Sequence, residues 1–106
     1  MPTNFTVNYT VPNDLKMRYL ARKKDEILRC LNQIENRDYE SVRTLAHQMR
    51  GNAANFDFSL LEQLGILLER AATAEDFEQT KFLLEDVMQA IAGLSYRLSQ
   101  LGSGEK

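Results

Sequence analysis

One cysteine, one histidine and two prolines are all that this chain of 106 residues holds of those three types. Each scarcity excludes something. With Cys30 alone, no disulfide can close within the chain, and a cysteine–histidine metal cluster has too few ligands. Cys30 lies between Leu28 and Leu31, with Ile34 one turn on, the setting of a small buried hydrophobe. Pro2 and Pro12 both fall near the start, so no proline interrupts the rest of the chain, which favours long helices. A surplus of positive charge is also missing. The net charge of −2 speaks against a nucleic-acid partner, whose phosphates call for a basic face. The single basic run, Arg22-Lys23-Lys24, meets Asp25 and Glu26 at once and reads as a solvated helix face. No apolar stretch approaches the roughly 20 residues of a membrane span. The polar N-terminus has no signal-peptide pattern. A cytoplasmic location and no membrane contact are the simplest expectations.

What the chain does contain is helical periodicity. Residues 1–12 form a polar, β-branched lead-in without a helical period. Pro12 opens a first helix, with Asp14 at the positive end of its dipole. Leu20, Ile27, Leu31 and Ile34, with Met17 and Leu28 beside them, carry that helix from about Asn13 to Glu35. The stripe is thin from Tyr19 to Arg22, where an interruption is expected, and the N-terminus leaves room for a short extra helix. After the polar link Asn36-Arg37-Asp38, Asp38 is placed to cap a second helix from about Tyr39 to Phe56. Ser59 with Glu62 has the capping-box spacing for a third helix, with Leu60, Leu61, Leu64, Leu67, Leu68 and Ala71 as its apolar face. Thr73 with Asp76 repeats that spacing for a fourth. There Phe77, Leu84, Val87, Ile91, Leu94, Leu98 and Leu101 make a seam of threes, fours and sevens. Residues 102–106 read as a flexible tail. Four amphipathic helices joined by short links bury their stripes most economically as an all-α, antiparallel four-helix bundle, one domain over residues 13–101.

The lone histidine is the residue that does not fit a packing role. On the second helix Val42, Leu45, Met49, Ala53 and Phe56 gather on one side, and His47 points to the other. Its neighbours on that face are Arg43, Arg50, Gly51 and Ala54. A neutral imidazole is a good nucleophile near pH 7. Arg50, three residues on, is in reach of an anion carried by the ring. Gly51 and Ala54 keep the surface low for a visiting protein. Glycine inside a helix costs roughly 1 kcal/mol relative to alanine, so Gly51 calls for a reason beyond packing.

The stretch Ala46-His47-Gln48-Met49-Arg50-Gly51-Asn52-Ala53 resembles the motif of the histidine phosphotransfer (HPt) domain family. The likeness extends upstream through Tyr19-Leu20, Lys24-Asp25 and Arg37-Asp38-Tyr39. Downstream it continues through Leu61 to Leu64, Leu68-Glu69, Ala71-Ala72 and Asp76-Phe77, so that about residues 13–95 are covered. The resemblance implies a carrier in a two-component phosphorelay, with His47 as phosphoacceptor, Arg50 as its phosphate-supporting cation, and Arg43, Gly51 and Ala54 as partner-docking positions. It implies a response-regulator receiver domain or a hybrid histidine kinase as partner, Mg²⁺ on the receiver, and no cofactor or metal on this chain. No glycine-rich nucleotide motif occurs, so the carrier is expected to have no ATP-dependent kinase activity of its own. One position departs from the family: Asp57 stands where a glycine is usual, ten residues after the histidine.

Other readings accompany these. The same face would also suit a non-phosphorylated four-helix adaptor for a receiver or regulatory protein. Arg50 could be a solvated charge and Gly51 a packing glycine. Gln48 or Asn52 could orient the imidazole or instead tie neighbouring helices together. Glu69 falls near the histidine face without an assignable role, and Tyr19, Phe56 and Phe58 read as core or rim. A monomer is the simplest assembly.

Overall fold

The computed structural model of the protein describes residues 11–104. Within them the chain forms α1 (Asn13–Ile34), α2 (Tyr39–Asn52), a 3₁₀ turn (Ala53–Phe56), α3 (Ser59–Thr73) and α4 (Phe77–Gly104). Lys81 of α4 pairs with Glu35 just past the end of α1 at 2.9 Å, while Lys24 lines a groove with Ile91 and Ser95. The two helices therefore run antiparallel. The all-α four-helix bundle expected from the periodicity is the observed fold. Its core is built from Leu20, Ile27 and Ile34 of α1, Val42, Leu45 and Met49 of α2, Leu61 and Leu68 of α3, and Leu84, Val87 and Ile91 of α4. Each such side chain contributes about 1.5–3 kcal/mol when fully withdrawn from water.

α1 runs unbroken through Tyr19–Arg22, contrary to the expected interruption. Buried residues that a hydropathy stripe does not count fill the gap. The Tyr19 ring stacks on Phe56 with centroids 4.3 Å apart and lies 6.0 Å from Phe58. Lys23 is only 3% exposed; its ammonium pairs with Glu26 at 2.9 Å and stands 5.4 Å from the Tyr19 ring centre. The basic run is thus not one solvated face: Arg22 and Lys24 are exposed and Lys23 is not. Residues 1–10 of the lead-in, and any separate helix there, lie outside the described residues.

The helix ends differ from the sequence expectation in detail. Asp38 caps α2 as anticipated, accepting the Ser41 N–H at 3.2 Å and the Ser41 hydroxyl at 2.8 Å. These bonds hold its carboxyl below the usual carboxylate range. Ser59, however, is already the first helical residue of α3, behind Phe58, so no Ser59–Glu62 capping box forms. Thr73 closes α3 instead of opening α4, and Asp76 alone caps α4 by accepting the Gln79 N–H at 3.1 Å. α4 continues through Gly104, into the segment read as a tail. Leu28, Leu60, Leu67 and Leu101 lie on the expected stripes yet are exposed, because each helix turns only part of its apolar arc inward.

Among the described residues, three non-glycine residues with positive φ end helical segments: Arg37 (60°), Asp57 (64°) and Glu75 (55°). At each, paired backbone bonds close the turn, as in Asp57 N–H to Ala54 C=O and Phe58 N–H to Ala53 C=O, both 3.0 Å. The turn at Asp57 separates the 3₁₀ turn from α3 and fixes how α3 folds back along α2.

Candidate functional site

The site is built where α3 crosses α2 at close range. Gly65 makes that approach possible. A Cβ there would stand 3.0 Å from the Arg50 amide nitrogen, 3.1 Å from the Ala46 carbonyl oxygen and 3.2 Å from the Met49 Cβ. One turn beyond Gly65, α3 presents Glu69 to the outer face of α2.

His47 projects outward from α2 as its helical phase predicts, with its side chain 64% exposed. Its Nδ1 lies 3.2 Å from Glu69 Oε2. An ionised carboxylate only accepts hydrogen bonds, so Nδ1 carries the proton and, in the neutral ring, Nε2 keeps the lone pair. The other Glu69 oxygen, Oε1, lies 3.4 Å from Arg50 Nη1. One carboxylate therefore holds both the imidazole and the guanidinium. Glu69 is the more enclosed member, 26% exposed against 46% for Arg50. Glu40, Arg43, Thr44 and Gln48 complete an open cleft around His47 and Glu69.

The remaining sequence candidates fall as follows. Gly51 is exposed, and a Cβ added to it would meet nothing within 4 Å among the described residues, so no packing contact among them requires it to be glycine. Ala54 is also exposed, but it belongs to the 3₁₀ turn and not to α2, which stops at Asn52. Arg43 lies beside the cleft. Its Nη1 donates to the Ala72 carbonyl at 3.4 Å and its Nη2 is 3.7 Å from Glu40, so it ties α2 to the C-terminal end of α3. Asn52 accepts the Tyr19 hydroxyl at 2.6 Å and so links α2 to α1 instead of orienting the imidazole. Burial pushes the Tyr19 hydroxyl up to about 12, so it remains a donor at neutral pH. Asp57, at the position of the usual glycine, adopts the left-handed conformation that glycine would provide, with its carboxylate 3.6 Å from Lys16. The loop geometry therefore survives the departure.

Glu69 is the residue that sequence reasoning left without a role. From the sequence it is expected near the histidine face, but contact depends on the register of α3 against α2, which Gly65 sets through space. Among the described residues, no group of three or more His, Cys, Asp or Glu is placed to hold a metal ion. No helix among them is long and apolar enough to cross a membrane. The model of the Hpt domain family matches residues 18–94. No curated protein and no solved structure matches the chain.

Proposed function

The chain belongs to the Hpt domain family, whose members carry phosphoryl groups on histidine in phosphorelays, and from that premise we propose that His47 is the phosphoacceptor. The observation that carries the assignment is the exposed imidazole with Glu69 on Nδ1 and Arg50 on the same carboxylate. In this reading Glu69 fixes the tautomer, so that the Nε2 lone pair faces an incoming phosphorus. A receiver domain with Mg²⁺ supplies the phosphoryl group on an aspartate. The Nε2–P bond forms as the bond from phosphorus to the aspartyl oxygen breaks, and the carboxylate leaves with the electron pair. The proton stays on Nδ1, and Glu69 offsets the positive charge left on the ring. Arg50 meets the phosphoryl oxygens. Transfer to another receiver is the same step reversed.

Gly51 and Ala54 leave room for the receiver beside His47, and Arg43 contributes a cation at the rim of the same surface. This chain presents and orients the histidine, while the metal and the catalysis of transfer reside on the partner. The protein is thus a carrier without a kinase activity of its own. A monomer suffices, because His47, Arg50 and Glu69 all come from one chain. To test the assignment, the protein is mixed with a phosphorylated receiver domain and Mg²⁺, and acid-labile, base-stable phosphate is followed. Wild type should be labelled and His47→Gln should not. Label persisting in His47→Gln would refute the assignment, and so would none from any receiver in a broad panel.

A further inference from the structure

We infer that Arg50 and Glu69 form a charge-exchange pair. Glu69 holds the guanidinium in the resting site, phosphorylation of His47 draws it to the phosphoryl group, and competition from Glu69 keeps that group transferable. The inference rests on the phosphotransfer reading of His47. At rest, a neutral imidazole, the Arg50 cation and the Glu69 anion sum to zero. Phosphotransfer adds one net negative charge, the dianionic phosphoryl group being partly offset by the cationic ring. The phosphoryl group and Glu69 then compete for the Arg50 guanidinium, while Arg43 of the same cleft is engaged by Glu40 and the Ala72 carbonyl.

The geometry permits the exchange. Arg50 follows His47 by three residues, so both side chains leave the same face of α2. Its contact with Glu69, at 3.4 Å, is longer than the roughly 2.7–2.9 Å of a tight charge-assisted hydrogen bond. Arg50 is nearly half exposed and has room to turn, whereas Glu69 is more enclosed and fixed to α3 close to the Gly65 crossing. The mobile cation and the anchored anion therefore have distinct parts. Arg50 lowers the energy of the phosphorylated state, and Glu69 limits how far it does so while holding Nδ1. A residue that only oriented the ring would leave Arg50 indifferent to its charge.

The test needs no partner protein. The full chain is incubated with phosphoramidate and excess ammonium at a fixed ratio. In the reaction His47 Nε2 takes the phosphoryl group, the phosphorus–nitrogen bond of the reagent breaks, and ammonia leaves. Phosphorus NMR gives the equilibrium constant for wild type, Glu69→Gln, Arg50→Gln and the double variant. Glutamine keeps an acceptor for Nδ1–H and removes the charge that competes for Arg50. Glu69→Gln should favour the phosphorylated state more strongly with Arg50 present than in the Arg50→Gln background, by a factor of roughly two to five, the scale of a partly exposed ion pair. Equal factors in the two backgrounds would overturn the exchange while leaving His47 as phosphoacceptor. Absence of any His47-dependent signal in wild type would overturn the phosphotransfer reading and the exchange with it.

Discussion

Gly65 of α3 lies so near Arg50 of α2 that a methyl group on it would come within 3.0 Å of the Arg50 amide nitrogen. The atoms in the way are mostly backbone, which cannot turn aside as a side chain would. Gly65→Ala should therefore destabilise the protein by roughly 1–3 kcal/mol through overpacking, less the gain of up to about 1 kcal/mol in helix propensity. The same push moves Glu69 from His47, so the Nδ1–H signal in imidazole NMR should weaken or shift. A Gly65→Ala protein with unchanged melting temperature and an unchanged His47 spectrum would show that the close crossing does not position the site.

Gly51 provides the contrast, since among the described residues a Cβ there meets nothing within 4 Å. Gly51→Ala should raise stability by up to about 1 kcal/mol, or some 4–8 °C in melting temperature for a domain of this size. If Gly51 serves receiver access, transfer from a phosphorylated receiver should slow while phosphorylation by phosphoramidate is unaffected. A variant that gains stability and transfers at the wild-type rate would remove Gly51 from the docking surface.

Glu75 ends α3 with φ of 55°, a conformation in which a side chain is strained. Arg37 and Asp57 share the conformation, but Arg37 covers the Phe77 ring at 3.7 Å and Asp57 pairs with Lys16. Glu75→Gly is thus the cleanest test of this strain and should stabilise the fold by roughly 1 kcal/mol. Thermal or urea denaturation checks it, and a loss of stability would show that the Glu75 side chain contributes more than its backbone costs.

Cys30 is buried and its thiol lies 3.9 Å from the Ser41 carbonyl oxygen. Burial, with smaller contributions from Asp38 and Glu26, pushes the thiol up to about 11. The native protein at pH 8 should react with iodoacetamide much more slowly than the urea-unfolded chain. The folded state disfavours the thiolate, so this contribution to stability is whole below the unfolded value of 9.0 and is lost as pH rises through about 11. Cys30→Ala should flatten that alkaline decline; an unchanged decline would assign it to other groups.

The parts of this molecule that were legible in the sequence are those set by local chemistry. Helical phase alone put His47 opposite Val42, Leu45 and Met49, and Asp38 could be recognised as a cap because its bonds are to the adjacent turn. The illegible parts depend on contacts across the bundle. Lys23 appears charged and solvated in one dimension, but the Tyr19 ring and Glu26 enclose it in three. Ser59–Glu62 and Thr73–Asp76 have capping spacing, but Phe58 and Asp76 take the cap positions because the turns at Asp57 and Glu75 end where they do. Glu69 could be placed near the histidine face but not against the ring, since its partner is chosen by the depth of the Gly65 crossing.

In the proposed carrier the phosphoryl group sits on one nitrogen of one residue. Nitrogen and phosphorus NMR on imidazole-labelled protein, phosphorylated by a receiver domain, reads that nitrogen directly. The predicted result is phosphorus coupling to Nε2 of His47, with Nδ1 still protonated against Glu69. Phosphorus on Nδ1, or no phosphorus on His47 in protein that has accepted label, would contradict it.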